Sequence, residues 1–281
     1  MGRFARSWAL VKASAAVLRS DRELLVFPLL SSICALLVAA TFFLPLLFGG
    51  AFAQFHEGGQ TPVWLWPLAF VFYLCQYFVI FFFNAALVGA ARIRLDGGDP
   101  TLADGFRIAS SHGLAILGYA AIAATAGLIL RAIEERAGFI GRWIVGLLGV
   151  AWTVATFLTV PILVNENLGP IDAVKRSAQL LKKTWGENLV GNAGVGVVFG
   201  LVIVAWILLC AALVALAAQS GSTLAIGGVV AVGGLGVLLF GLLQSALQGV
   251  YAAALHRYAE TGDAGFGFDG ALVADAFKIK A

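Results

Sequence analysis

Apolar positions along the chain gather into six long runs separated by polar islands, and three of those islands carry a helical pattern of their own. The runs cover residues 24–48, 63–91, 114–133, 143–164, 189–218 and 222–255, and each reaches the roughly 20 residues that a helix needs to cross hydrocarbon. The clearest island is residues 165–188. Gly169 and Pro170 pre-set a helix start, because proline at the first helical position gives up no needed N–H. Ile171, Val174, Ala178, Leu181 and Trp185 then recur at spacings of three and four, and Asp172, Lys175, Arg176, Gln179, Lys182 and Lys183 take the other side. That spacing predicts an amphipathic helix at a membrane edge. Residues 1–23 repeat the device, with Phe4, Trp8, Val11, Ala15 and Leu18 on one face. A shorter version follows the second run. Thr101 and Asp104 read there as a capping box, ahead of Leu102, Phe106 and Ala109.

An amphipathic helix therefore precedes the first, third and fifth runs, and none precedes the second, fourth or sixth. The expected fold is an all-α polytopic membrane protein, with six transmembrane helices in three hairpins, each hairpin preceded by a cytoplasmic amphipathic helix. The pattern repeats over residues 1–62, 100–164 and 168–256, within a single transmembrane domain spanning 1–258. Residues 259–281 read as a polar cytoplasmic tail. Ala51-Phe52-Ala53 has the look of a signal-peptidase triplet. The run before it is about 25 residues, however, against the 7–15 of a signal core, which favours a retained span. Gly196 and Gly200 form a small-xxx-small pair in the fifth run. Close helix packing and mere abundance of glycine both account for that pair.

Composition strengthens the membrane reading. The 281 residues are 61% hydrophobic and 12% charged, about half the roughly 25% charge of a soluble domain. Lys and Arg are also unevenly placed. Fifteen of the 18 lie in the N-terminal segment, the island after the second run, the 165–188 island and the segment after the sixth run, and three lie around the turn at 134–142. By the positive-inside rule both termini face the cytoplasm, with the protein in the cell inner (plasma) membrane. A net charge of +3 gives no case for nucleic acid.

Candidate chemistry is sparse. No phosphate-binding loop, nucleophile elbow, metalloprotease motif or paired intramembrane carboxylates occur, so no enzyme and no cofactor are expected. Cys34, Cys75 and Cys210 sit singly inside apolar runs, and His56, His112 and His256 are isolated along the sequence, so no metal site is read from spacing. Gln76, Asn84, Gln244, Ser245 and Gln248 lie inside runs, where interhelical hydrogen bonding or a lining role in a conduit would use them. Topology places Arg92, Arg94, Glu166, Glu187, Asn192 and His256 at one depth, the cytoplasmic boundary. They read there as a polar cluster that either fixes helix ends or binds a ligand or lipid headgroup. Lys175, Arg176, Lys182 and Lys183 are the candidates for contact with anionic lipid, each contributing about 1 kcal/mol near a charged surface.

Pro161 to Pro170 (PILVNENLGP), Ala173 to Ala178 (AVKRSA) and Lys183 to Glu187 (KTWGE) together resemble an uncharacterised family of bacterial and archaeal six-span membrane proteins. Ser7-Trp8, Leu18 to Leu30 and Asp96 to Thr101 are similar to the same family. The Ala-x-Lys-Arg-Ser helix entering a span also resembles the membrane domains attached to some glycerophosphodiester phosphodiesterases and, more distantly, Yip-type proteins. The family brings no established activity, so no functional residue is carried over. The functional expectation is a structural, scaffold or membrane-organising component at the inner leaflet. Its partners would be membrane lipids with anionic headgroups, with a second copy or another membrane protein as a further option. A transporter or channel for a small molecule or lipid is the alternative.

Overall fold

A computed structural model describes residues 3–48, 63–185, 194–219 and 222–268, and every regular element in them is helical. In chain order these are α1 (Arg3–Ser20), a 3-10 turn (Arg22–Leu25), α2 (Val26–Phe48), α3 (Leu65–Leu95), α4 (Leu102–Ser111), α5 (Gly113–Arg136), α6 (Phe139–Ala155), α7 (Thr159–Asn165), α8 (Pro170–Trp185), α9 (Gly194–Gln219) and α10 (Thr223–Thr261). Among the described residues, six stretches are long and apolar enough to cross a membrane: Arg22–Phe48, Leu65–Leu95, Gly113–Arg136, Phe139–Asn165, Phe199–Gln219 and Thr223–Thr261. The all-helical, six-span class expected from sequence is therefore present. Helix starts follow their local signals. The Thr101 hydroxyl accepts from Asp104 N–H while the Asp104 carboxylate accepts from Thr101 N–H, a complete capping box. This lowers the Asp104 pKa, first through the Thr101 hydroxyl. Pro170 opens α8.

Helix α3 is the hub, packing on α2, α4, α5, α7 and α10. Along both α3 and α10, burial begins late. The first continuous buried stretches are Ala85–Ala91 and Leu247–His256 with Ala246 before them, apart from the half-buried Gln248. Each stretch starts about 20 residues from the helix start, or about 30 Å at 1.5 Å per residue, which is the thickness of a hydrocarbon slab. Before that point Leu201, Leu208, Leu216, Val230, Leu235 and Leu239 stand exposed, as lipid-facing residues do. The molecule thus has two layers: helices spread through an apolar slab, and a packed layer at the end where α3 and α10 finish.

Leu24, Phe27, Leu87, Leu158, Ile162, Leu163 and Leu255 are all fully buried in the packed layer. Water is the reference solvent there, and each such side chain contributes roughly 1.5–3 kcal/mol. Inside the slab that driving force is absent, and fit between surfaces takes over. In α4 a Cβ on Gly105 would stand 2.9 Å from the Ala86 carbonyl oxygen, and one on Gly89 would meet Ile108, so glycines set the α3–α4 approach.

Three details differ from the sequence reading. The fourth run is not one helix, because the chain turns through Thr156–Leu158 between α6 and α7. Pro161 accounts for part of this, since it offers no N–H and its ring crowds the carbonyl four residues earlier. The Gly196/Gly200 pair does not lead the packing of the last two spans. Gly200 faces open space, and Gly196 has no described side-chain surroundings. Close approach comes instead at α10, where Gly233 and Gly236 receive Cys210 and the Trp206 ring, and Trp206 Nε1–H donates to the Gly233 carbonyl at 3.1 Å. The tail, finally, does not begin at residue 259. Helix α10 runs on to Thr261 and ends at a left-handed Gly262, after which Phe266 N–H donates to the Leu95 carbonyl and Ala264 is buried.

The three short helices are packed onto the bundle rather than standing apart from it. In α1, Val11, Ala13, Ser14, Val17 and Leu18 are buried, and the helix lies against α10 and α9. In α8 the buried line is Ala173, Ser177 and Leu181, rotated from the expected Ile171–Val174–Ala178 face, and Ile171 is exposed.

Candidate functional site

The candidate site lies where α3, α7, α8 and α10 end together in the packed layer. Glu166 follows the last turn of α7, and its N–H donates to the Ile162 carbonyl at 2.8 Å. Asn167 then adopts φ +50, a left-handed conformation that asparagine tolerates better than most residues. Its Oδ1 lies 2.9 Å from His112 Nε2, pinning this turn to the α4–α5 junction. The reversal sends α8 back along α7, and this brings Arg176 to Glu166.

Glu166 stands at the centre of the polar contacts. One oxygen accepts from Arg176 Nε at 3.3 Å, and the other faces His256 Nε2 at 3.2 Å. His256 projects from α10 with its side chain fully buried. One turn on, Glu260 Oε2 lies 3.7 Å from His256 Nδ1 and accepts from Arg92 Nη1 at 2.8 Å. Arg92 Nε also reaches Asp96 at 3.2 Å, and Asp96 accepts from Arg257 Nε at 2.7 Å. Arg257 closes the chain on Asp263 at 2.6 Å. That contact, its largest cause, holds the Asp263 pKa below the usual carboxylate value. One continuous network thus links α8, the α7–α8 turn, α10 and α3.

Of the six boundary residues read from the sequence, the network joins Arg92, Glu166 and His256. Arg94 goes elsewhere. Its guanidinium caps the end of α1 through the Ser20 carbonyl at 3.0 Å, and it also binds the Gly98 carbonyl and Asp99. Arg176, read as lipid-facing, pairs with Glu166 while its side chain stays 43% exposed. Lys175 is exposed and pairs with Asp172 at 3.4 Å, and Lys182 is exposed. The Lys183 side chain, Glu187 and Asn192 lie outside the described residues. Sequence reading missed Glu260 and Asp96, although each stands four residues after a partner, His256 and Arg92, at the spacing that places side chains on one helical face.

A second polar feature sits at the α6–α7 break. Ser177 of α8 is fully buried; its hydroxyl donates to the Ala155 carbonyl at 2.7 Å and accepts from Leu158 N–H at 3.1 Å. One side chain thereby satisfies two of the backbone groups that the break releases. The site can do two things chemically. It ties four helix ends together through ion pairs, and it presents an imidazole nitrogen beside carboxylate oxygens.

A family model described as a family of unknown function, DUF6159, matches residues 64–266. No curated protein and no solved structure matches the chain.

Proposed function

The chain belongs to the DUF6159 family of unknown function, and within it we propose a non-enzymatic, multi-pass component of the cell inner membrane that organises anionic lipid at the cytoplasmic leaflet. In this reading the spans pair as three hairpins, the packed layer and both termini face the cytoplasm, and α1, α4 and α8 form its surface. The observation that carries it is a division of labour among the cations. Arg92, Arg94 and Arg257 are largely buried and ion-paired, and Arg176 is paired with Glu166, whereas the exposed side chains of Arg19, Arg22 and Lys182 have no partner among the described residues. Near an anionic surface each contributes about 1 kcal/mol of attraction. A conduit is the weaker reading. Two described cavities, of about 510 and 800 Å³, lie around Arg131 and Glu135, on the part of α5 remote from its packed-layer residues Ile116–Ala124.

The test is lipid selectivity in mixed vesicles, read from spin-labelled phosphatidylglycerol against phosphatidylcholine. The wild-type protein should enrich the anionic lipid at its boundary. Arg19→Glu, Arg22→Glu and Lys182→Glu together should abolish that enrichment without moving the melting temperature by more than a few degrees. Equal enrichment in the triple variant would overturn the reading.

A further inference from the structure

The geometry points to a binding site for a divalent transition-metal ion between His256 Nδ1 and Glu260, with Glu166 holding the imidazole from its Nε2 side. One donor atom from each of the three lies within 4.8 Å of the others. The two ring nitrogens of His256 carry the inference. An ionised carboxylate only accepts, so the 3.2 Å approach of Glu166 Oε1 requires the proton on Nε2. Nδ1 is then a bare lone pair. It is buried, it has no hydrogen-bond partner, and the group nearest it is another acceptor, Glu260 Oε2 at 3.7 Å. Two electron-rich atoms face each other with room for a cation between them.

The separation favours a metal over a proton. A hydrogen bond between nitrogen and oxygen spans about 2.7–3.2 Å, well short of 3.7 Å. Two ligands each about 2.1 Å from one ion, at tetrahedral to trigonal angles, stand about 3.4–3.6 Å apart. Glu166 on Nε2–H gives the carboxylate–histidine–metal arrangement, which fixes the tautomer and raises the basicity of the ligating nitrogen. Arg176 and Arg92 hold an oxygen of Glu166 and of Glu260, as outer-shell donors orient carboxylates around an ion. With a neutral imidazole the network carries four carboxylates (Glu166, Glu260, Asp96, Asp263) against three guanidiniums (Arg92, Arg176, Arg257), leaving one net negative charge. Imidazole and carboxylate without thiolate select zinc or manganese over copper(I). Glu260 is about one-third exposed, which gives the ion a way in.

The ion would clamp the last turns of α10 and, through the imidazole that Glu166 holds, stiffen its contact with the α7–α8 turn, a role independent of the lipid reading above. The experiment uses full-length protein in detergent, purified without a histidine tag and stripped with chelator. Zinc and manganese are titrated by calorimetry, with melting temperature as a second readout. One ion per chain should bind and raise the melting temperature. Glu260→Gln, isosteric and part-exposed, should weaken binding at least ten-fold, and Glu166→Gln should weaken it less. His256→Asn should abolish binding, and if that variant does not fold, Glu260→Gln decides. Cobalt substitution should give absorption bands of nitrogen–oxygen ligation that Glu260→Gln alters. Unchanged affinity in Glu260→Gln, no stoichiometric binding, or stabilisation by mild acid with no response to either metal would each overturn the proposal.

Discussion

Ser177 shows how much one hydroxyl can decide in a protein of this kind. A break in a buried helix frees backbone carbonyls and N–H groups, and each one left unpaired costs about 1–3 kcal/mol. The Ala155 carbonyl and Leu158 N–H are two of the freed groups, and both meet Ser177 Oγ. Ser177→Ala should therefore destabilise by about 2–4 kcal/mol, a loss beyond that of a single ordinary hydrogen bond, because two buried groups become orphans together. Ser177→Cys, similar in size but a weak donor and acceptor, should fall between alanine and wild type. Thermal unfolding in detergent checks the order, and an alanine variant as stable as wild type would mean that the break is satisfied some other way. The sequence held this serine within the segment that carries the family likeness but gave no sign of its task. Its partners lie 19 and 22 residues away, across a turn that the run of apolar residues conceals. Helical spacing reports a residue's neighbours on its own helix, so Glu260 four positions after His256 was within reach of sequence reading and Ser177 was not.

At the scale of elements, α9 is the least secured of the long helices. Among the described residues it packs mainly on α10 and α1, and its grip on α10 runs through Trp206, whose ring fills the notch left by Gly236 and meets Phe240 edge-on at 5.8 Å. A Cβ at Gly236 would fall inside the indole, so Gly236→Ala should push α9 outward, whereas Gly234→Ala, where nothing lies within 4 Å, should be silent. In a background with the other six tryptophans replaced by phenylalanine, Trp206 emission reads the difference: more accessible to lipid-borne quenchers in the first variant, unchanged in the second. Identical quenching would show that the notch does not hold the helix. Runs of glycine made tight packing of the last two spans legible in the sequence, yet the pairing rule pointed to Gly196 and Gly200. A glycine matters where a large neighbour needs its missing side chain, and that depends on the facing helix.

For the molecule as a whole, hydropathy made the six spans legible but concealed the boundary between its two layers. Ala85–Ala91 and Ala252–Leu255 read as membrane-spanning sequence, because a packed interior and a lipid-facing surface draw on the same apolar residues. What separates them is partner, not composition, and the polar residues at the ends of those stretches mark the change. Arg92, Asp96, Arg257 and Glu260 sit just beyond them and join α3 to α10 by ion pairs. These pairs stand apart from the surface pair Arg131–Glu135, in which both side chains are more than half exposed. Arg257, by contrast, is 15% exposed and is held between Asp96 and Asp263. A double-mutant cycle on Arg257→Gln and Asp96→Asn should return a coupling of about 1–2 kcal/mol, since partly buried, networked pairs fall in the upper part of the usual range. The same cycle on Arg131 and Glu135 should return no more than about 0.5 kcal/mol. Raising the salt should leave the first coupling nearly intact and erase the second, because exposed charges are screened and buried ones much less. Equal couplings at the two ends would mean that the packed layer owes its hold on α3 and α10 to apolar burial alone.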